Sequence, residues 1–225
     1  MAGDAGNDAE PPRSVRNTAP RPRSPEDGVL CYAAGTHIRT ENGEVPVEAL
    51  RAGDRVLTVH GGPLLQPLAW VGRMRVNVAR HRDRSRVAPI LFRPGALGDG
   101  VPHRALRVSP EHAIFIGGRL VPARLLANGT SIVQECWCQE IDYHHIELDR
   151  HGLVVAEGTV SETYLDEGNR YLFDNGDIVA LTVDYGALRG NGRYGGSVCA
   201  PVLGEGSPAL EIIRGRLAAL VRTTG

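Results

Sequence analysis

A chain of 225 residues, 42% hydrophobic and with a formal charge of -1, has apolar material for one core, or for one core and a small appendage. The balanced charge offers nothing to attract a polyanion, which sets nucleic acid aside as a partner, and no apolar run is long enough to span a membrane. All 25 basic residues are arginine, so no lysine amine is present for chemistry within the chain.

Residues 1–30 carry Pro11, Pro12, Pro20, Pro22 and Pro25 among mixed charges and almost no large apolar group. Such a segment buries too little surface to offset its ordering entropy, so a disordered leader is expected. Its first residues, MAGDAGNDAEPP, have neither the basic start nor the apolar stretch of a secretory signal, which leaves the compartment open.

From Cys31 the pattern is β. THIRTENGEVPVEAL reads as two short strands around the turn pair Asn42-Gly43, and a further strand follows over Asp54 to Val59. HAIFIGGRLVPA repeats the theme around Gly117-Gly118. Ser131 to Cys138, Tyr143 to Leu148 and Gly152 to Gly158 supply more strands, and turns recur as they do in all-β domains.

The chain also repeats itself. VPVEALRAGDRVL (from Val45) aligns without gaps to VPARLLANGTSIV (from Val121), 76 residues apart, with Val45/Val121, Pro46/Pro122, Leu50/Leu126 and Gly53/Gly129 coincident. Two copies predict a duplicated β domain with a pseudo-two-fold axis rather than a solenoid. The segments leading into the two copies, one with Cys31 and one with His112, are then expected to meet near the axis. The domain is expected over 31–166, and a loop-rich extension over 167–225. The extension ends in an amphipathic helix over 208–222, with Ser207 as N-cap and Leu210, Ile213, Leu217 and Val221 on one face.

The four cysteines are irregularly spaced for a disulfide scaffold and are read singly. Cys31 stands between leader and domain, where its thiol can attack the carbonyl of Leu30; most free cysteines, by contrast, are small buried hydrophobes. The freed amide nitrogen must then be protonated, a task for a positioned imidazole. RVSPEHAIFI presents Ser109 and His112 three apart on a Pro-containing turn that enters a strand, so both can address one peptide group. His112 is expected within about 3 Å of the Cys31 amide nitrogen. Cys136 and Cys138 share one face of their predicted strand. Zinc ligands favour a two- to four-residue gap on a turn, so core packing is the preferred reading and no metal or cofactor is expected. Cys199 lies in the tail without a partner motif.

Taken together, CYAAGTHIRTENGEVPVEALRAGDRVLTV, SPEH before AIFIGGRLVPARLL, and IELDRHGLVVAEG resemble the Hint (Hedgehog/intein) domain, closest to its bacterial branch with the CxAAGT opening. The likeness runs from about Cys31 to Asn169. It implies an all-β, horseshoe-like fold with two related halves. It also implies that Cys31 forms a thioester with the leader as acyl group, assisted by a Thr-x-x-His turn in which Ser109 replaces Thr and His112 matches. Hedgehog-type members carry a basic Asp, near whose place Gly72 stands. A further family site, near the start of the penultimate strand, lies closest to His145, next to His144. Inteins end in His-Asn; Glu162-Thr163 occupies that position here, so Asn cyclisation has no group to perform it. The implied partners are the chain's own leader and an external nucleophile, water or a small thiol, with cleavage rather than splicing. A degenerate Hint domain serving as a structural or binding module is the alternative. An ordinary trans-acting cysteine hydrolase is a more distant one.

Overall fold

The computed structural model describes residues 30–60, 62–165, 170–176 and 198–224. The expected leader, apart from Leu30, and most of the loop-rich extension lie outside the described residues. The described part is β-rich, with an α-helix at its C-terminal end.

Fourteen strands are described: β1 (Tyr32–Ala33), β2 (His37–Thr40), β3 (Gly43–Pro46), β4 (Arg55–His60), β5 (Leu65–Pro67), β6 (Trp70–Asn77), β7 (Ile90–Phe92), β8 (Leu106–Val108), β9 (Ala113–Ile116), β10 (Arg119–Pro122), β11 (Ile132–Gln134), β12 (Glu140–Glu147), β13 (Leu153–Ala156) and β14 (Thr159–Glu162). They form two sheets with antiparallel pairings throughout. One has the order β11-β7-β8-β1-β12-β6; the other runs β10-β9-β14-β13-β2-β4-β5, with β3 on β2. The two-residue β1 is thus a central strand. Tyr32 pairs with Val108 on one side and with His144 on the other.

The repeat is visible in the backbone. After β3 and after β10 the chain enters a short 3-10 helix, Val47–Ala49 and Ala123–Leu126, behind Pro46 and Pro122 in matching conformations. Gly53 and Gly129 then turn at positive φ, a region in which a side chain is strained. The correspondence extends upstream of the sequence match. Thr36 N–H donates to Ala33 O at 3.2 Å, and His112 N–H to Ser109 O at 3.1 Å; Val47 N–H donates to Thr36 O at 2.8 Å, and Ala123 N–H to His112 O at 3.0 Å. The Ser109–His112 turn is therefore the second-half equivalent of the Ala33–Thr36 turn. The β13–β14 hairpin joins the halves, β13 pairing with β2 and β14 with β9. At each junction a buried carboxylate ties down the strand: Glu157 accepts the His37 N–H at 2.7 Å, and Glu162 accepts the Ala113 N–H at 2.7 Å.

Two local expectations need correction. Strand β11 stops at Gln134, and Glu135 to Cys138 form a turn closed by Cys138 N–H to Glu135 O at 2.9 Å, so the two thiols do not share a strand face. The long strand β6 was not expected: Gly72 interrupts its alternation, and its identity depends on pairing with β12 along its full length.

The helix, α1 (Pro208–Thr224), runs two residues past its expected end. Leu210, Ile213 and Leu217 enter the main core, while Val221 is half-buried and Leu220 packs beside it. Arg214 Nε also donates to Leu125 O at 2.8 Å. Each buried aliphatic side chain contributes about 1.5–3 kcal/mol. Leu217→Ala is therefore expected to lower the unfolding free energy by roughly 2–5 kcal/mol, read as a shifted urea midpoint with the folded-state circular dichroism unchanged.

Candidate active site

Cys31 immediately precedes β1, so the topology puts it at the start of the central strand flanked by β8 and β12, and side chains of β6, β12 and the segment after β14 pack on it. Cys31 is fully buried, and Leu30 nearly so. The thiol joins an apolar cluster with Trp70, Tyr143, Tyr164 and Phe173. Burial alone pushes its pKa well above the ordinary thiol range, so it rests as a neutral S–H.

Ser109 brackets the cysteine. The Cys31 N–H donates to Ser109 Oγ at 2.8 Å, and the Ser109 N–H donates to Cys31 O at 2.9 Å. The hydroxyl is thus aimed at the nitrogen of the Leu30–Cys31 peptide. The expected bond from His112 to this nitrogen is not formed, because Ser109 occupies that position. The His112 ring instead lies 4.3 Å from the Tyr32 ring and 5.3 Å from that of His145, and neither of its nitrogens has a hydrogen-bond partner. Burial brings its pKa down to about 4, opposed by Glu162 and reinforced by His151. His145 is driven well below the ordinary range by burial, then by His112 and His151. Both rings are therefore buried and neutral at pH 7.

His145 lies on β12 opposite Gly72 of β6. A Cβ at Gly72 would run into the Trp70 ring and would come within 2.7 Å of Phe173 Cδ1. The place where the resemblance calls for an Asp therefore has no room for a side chain. His144 points the other way on the strand and is only half-buried.

Three residues near the site escaped the sequence reading. The Tyr32 hydroxyl shares a hydrogen bond with Ser161 Oγ at 2.7 Å and donates to Glu162 O at 3.2 Å, which fixes the ring against His112. Glu162, besides accepting the Ala113 amide, lies 3.3 Å from His151 Nε2. His151 Nδ1 accepts the Cys199 N–H at 3.0 Å, which ties the C-terminal segment to the domain. Tyr32 sits beside Cys31 in sequence and could have been suspected; Glu162 registers in the sequence only as a departure from the His-Asn ending, and His151 carries no local signal. Thr163 is buried, with its Oγ1 accepting the Gly152 N–H at 2.9 Å.

These features define a class: a duplicated two-sheet β domain that buries a cysteine at its N-terminal border, beside a Ser-x-x-His turn and a second buried histidine. The profile of the Hint domain matches residues 30–168, and the chain belongs to that family. No curated protein sequence matches it. Among solved structures it is similar to the bacterial intein-like domain from Clostridium thermocellum, at 11% identity and a TM-score of 0.38, over 61% of this chain and 100% of that one. It is also similar to the MchDnaB-1 intein, at 13% identity and a TM-score of 0.44, over 59% and 99% of the two chains. A DnaB intein from Synechocystis sp. PCC 6803 matches at 10% identity with a TM-score of 0.41, over 60% and 98%. Among the described residues no helix is long and apolar enough to cross a membrane.

Proposed function

We propose that the chain is a self-processing domain whose substrate is its own Leu30–Cys31 peptide bond. The observation that carries this reading is the 2.8 Å hydrogen bond from the Cys31 amide to Ser109 Oγ, which holds the scissile nitrogen. In the reaction the Cys31 S–H proton passes to His112. The sulfur attacks the Leu30 carbonyl carbon, and as the C–N bond breaks the proton is returned to the nitrogen through the Ser109 hydroxyl that touches it. The products are a thioester of residues 1–30 on Cys31 Sγ and a free α-amine on Cys31; no proton is gained or lost. His145, whose ring lies 5.3 Å from that of His112, packs behind it and positions it.

Water or an added nucleophile then resolves the thioester. A small thiol exchanges with it by attack of its thiolate on the acyl carbon, freeing the Cys31 thiol. Dithiothreitol or hydroxylamine is therefore expected to speed release of residues 1–30, leaving a fragment that begins at Cys31, read by intact mass. Thr163 has no amide with which to cyclise, so no second cut is expected beside it. A cut after Thr163, or ligation of residues 1–30 to the tail, would overturn cleavage in favour of splicing. The second reading, a degenerate module, draws on the occupied Gly72 position and on the deeply buried thiol. Absence of any fragment, with Cys31 free and intact, supports it.

A further inference from the structure

Residues 170–176 lie after the last strand of the domain and take no part in the acyl shift, yet they close the cluster around Cys31. Arg170 forms a short 3-10 turn with Tyr171 and Leu172, and Phe173 follows. The Arg170 guanidinium lies 4.5 Å over the Trp70 ring and 5.6 Å from that of Tyr164. Its Nη2 donates to both carboxylate oxygens of Glu147, at 2.7 and 2.6 Å, in a buried pair. Phe173 stands edge-on to Trp70 and Tyr164, with centroids 5.0 and 5.7 Å away.

The same segment is stitched to the free edge of β6, the outermost strand of its sheet. Asp174 N–H donates to Arg73 O at 2.8 Å, Asn175 Oδ1 accepts the Arg73 N–H at 3.1 Å, and Asn175 Nδ2 donates to Val71 O at 2.8 Å. The loop closes tightly on itself, since a Cβ at Gly176 would collide with the Arg170 carbonyl. The result is an aromatic cover with an ionic latch at one end and an amide clasp at the other. Cys31 beneath it is fully buried, whereas resolving a thioester requires a second molecule to reach its acyl carbon.

We infer that residues 170–176 set how fast a nucleophile reaches the Cys31 thioester: while Arg170 and Glu147 are paired, the cover slows entry of water and small thiols, and access is faster when the latch opens. This rests on the thioester reading above. Arg170→Ala removes the latch and the stacked guanidinium together. Asn175→Ala loosens the clasp without stranding a buried charge, which guards against simple misfolding.

The test is alkylation of Cys31 by iodoacetamide in the full chain carrying Cys136→Ser, Cys138→Ser and Cys199→Ser, followed by intact mass on the uncleaved species. In parallel, hydroxylamine-driven release of residues 1–30 is timed, and urea midpoints confirm folding. Both variants are expected to raise the alkylation rate at least tenfold and to speed hydroxylamine release by a comparable factor. Arg170→Lys, which keeps a cation beside Glu147, is expected to fall between. Folded variants alkylated at the parent rate would overturn the cover. Faster alkylation with no release by hydroxylamine would leave the cover over Cys31 in place and overturn the thioester, so the two failures are distinguishable.

Discussion

A Cys31→Ala chain is expected to retain residues 1–30 through prolonged incubation, with or without dithiothreitol, because the proposed acyl shift needs the Cys31 sulfur as its nucleophile. In His112→Ala the leader is expected to leave roughly 10²–10⁴ times more slowly, the range by which a positioned general acid or base accelerates proton transfer. In the proposed shift the imidazole serves twice. The thiol it deprotonates is pushed up by burial, and the amine it protonates cannot depart as an anion. Its lowered pKa, about 4, favours surrender of the proton to the nitrogen but makes the ring a weak base toward a thiol raised by burial, so thiol deprotonation is the demanding half of the shift. Ser109→Ala should slow the shift while Ser109→Thr restores it, because only the hydroxyl touches the Cys31 nitrogen. A His112→Ala chain that released its leader at the parent rate would remove the proton path.

The second large effect is on stability in mild acid. His112 and His145 are buried neutral, with folded pKa values below the ordinary 6.5. The unfolded chain therefore binds more protons than the folded one as the pH falls from about 6.5 toward 4, and stability declines across that window. A shift from 6.5 to about 4 amounts to roughly 3 kcal/mol for His112 alone at 1.36 kcal/mol per pH unit, and His145 acts in the same direction. Glu44 and Asp142, held below the usual carboxylate range chiefly by bonds to Arg104 and Arg75 against the opposing effect of burial, lose their contributions only at lower pH. His151, whose pKa is raised to about 9 against burial by its contacts with Cys199 and Glu162, acts in the opposite sense down to about pH 6, so the urea midpoint is expected to fall chiefly between about pH 6 and 4.5, with a shallower slope in His145→Phe. A flat profile would mean that the rings are hydrated, contrary to their burial.

The duplicated framework was legible because it is written in backbone-determining residues. Pro46 and Pro122 start matching 3-10 turns, and Gly53 and Gly129 turn where other residues are strained. The helix was legible from its apolar spacing. Strand β6 was not, since its register is set by β12, across the chain, rather than by its own alternation. At the site, proximity of Ser109 to Cys31 followed from the two-fold arrangement, but which side chain would take the amide did not. That choice depends on about one side-chain length, and the serine is nearer than the imidazole. The segment 170–176 left no trace in sequence because its contacts cross long separations, such as Asn175 to Val71.

The equivalence of the Ala33–Thr36 and Ser109–His112 turns has an experimental use. Nature has already built this turn twice, once with alanine and threonine where the other has serine and histidine, and both copies make the same two main-chain bonds. The inert copy is an internal control for mutagenesis. Transplanting its side chains as Ser109→Ala with His112→Thr should give a chain that keeps this loop geometry and has lost its chemistry, so that a silent variant can be attributed to the missing groups rather than to a damaged scaffold.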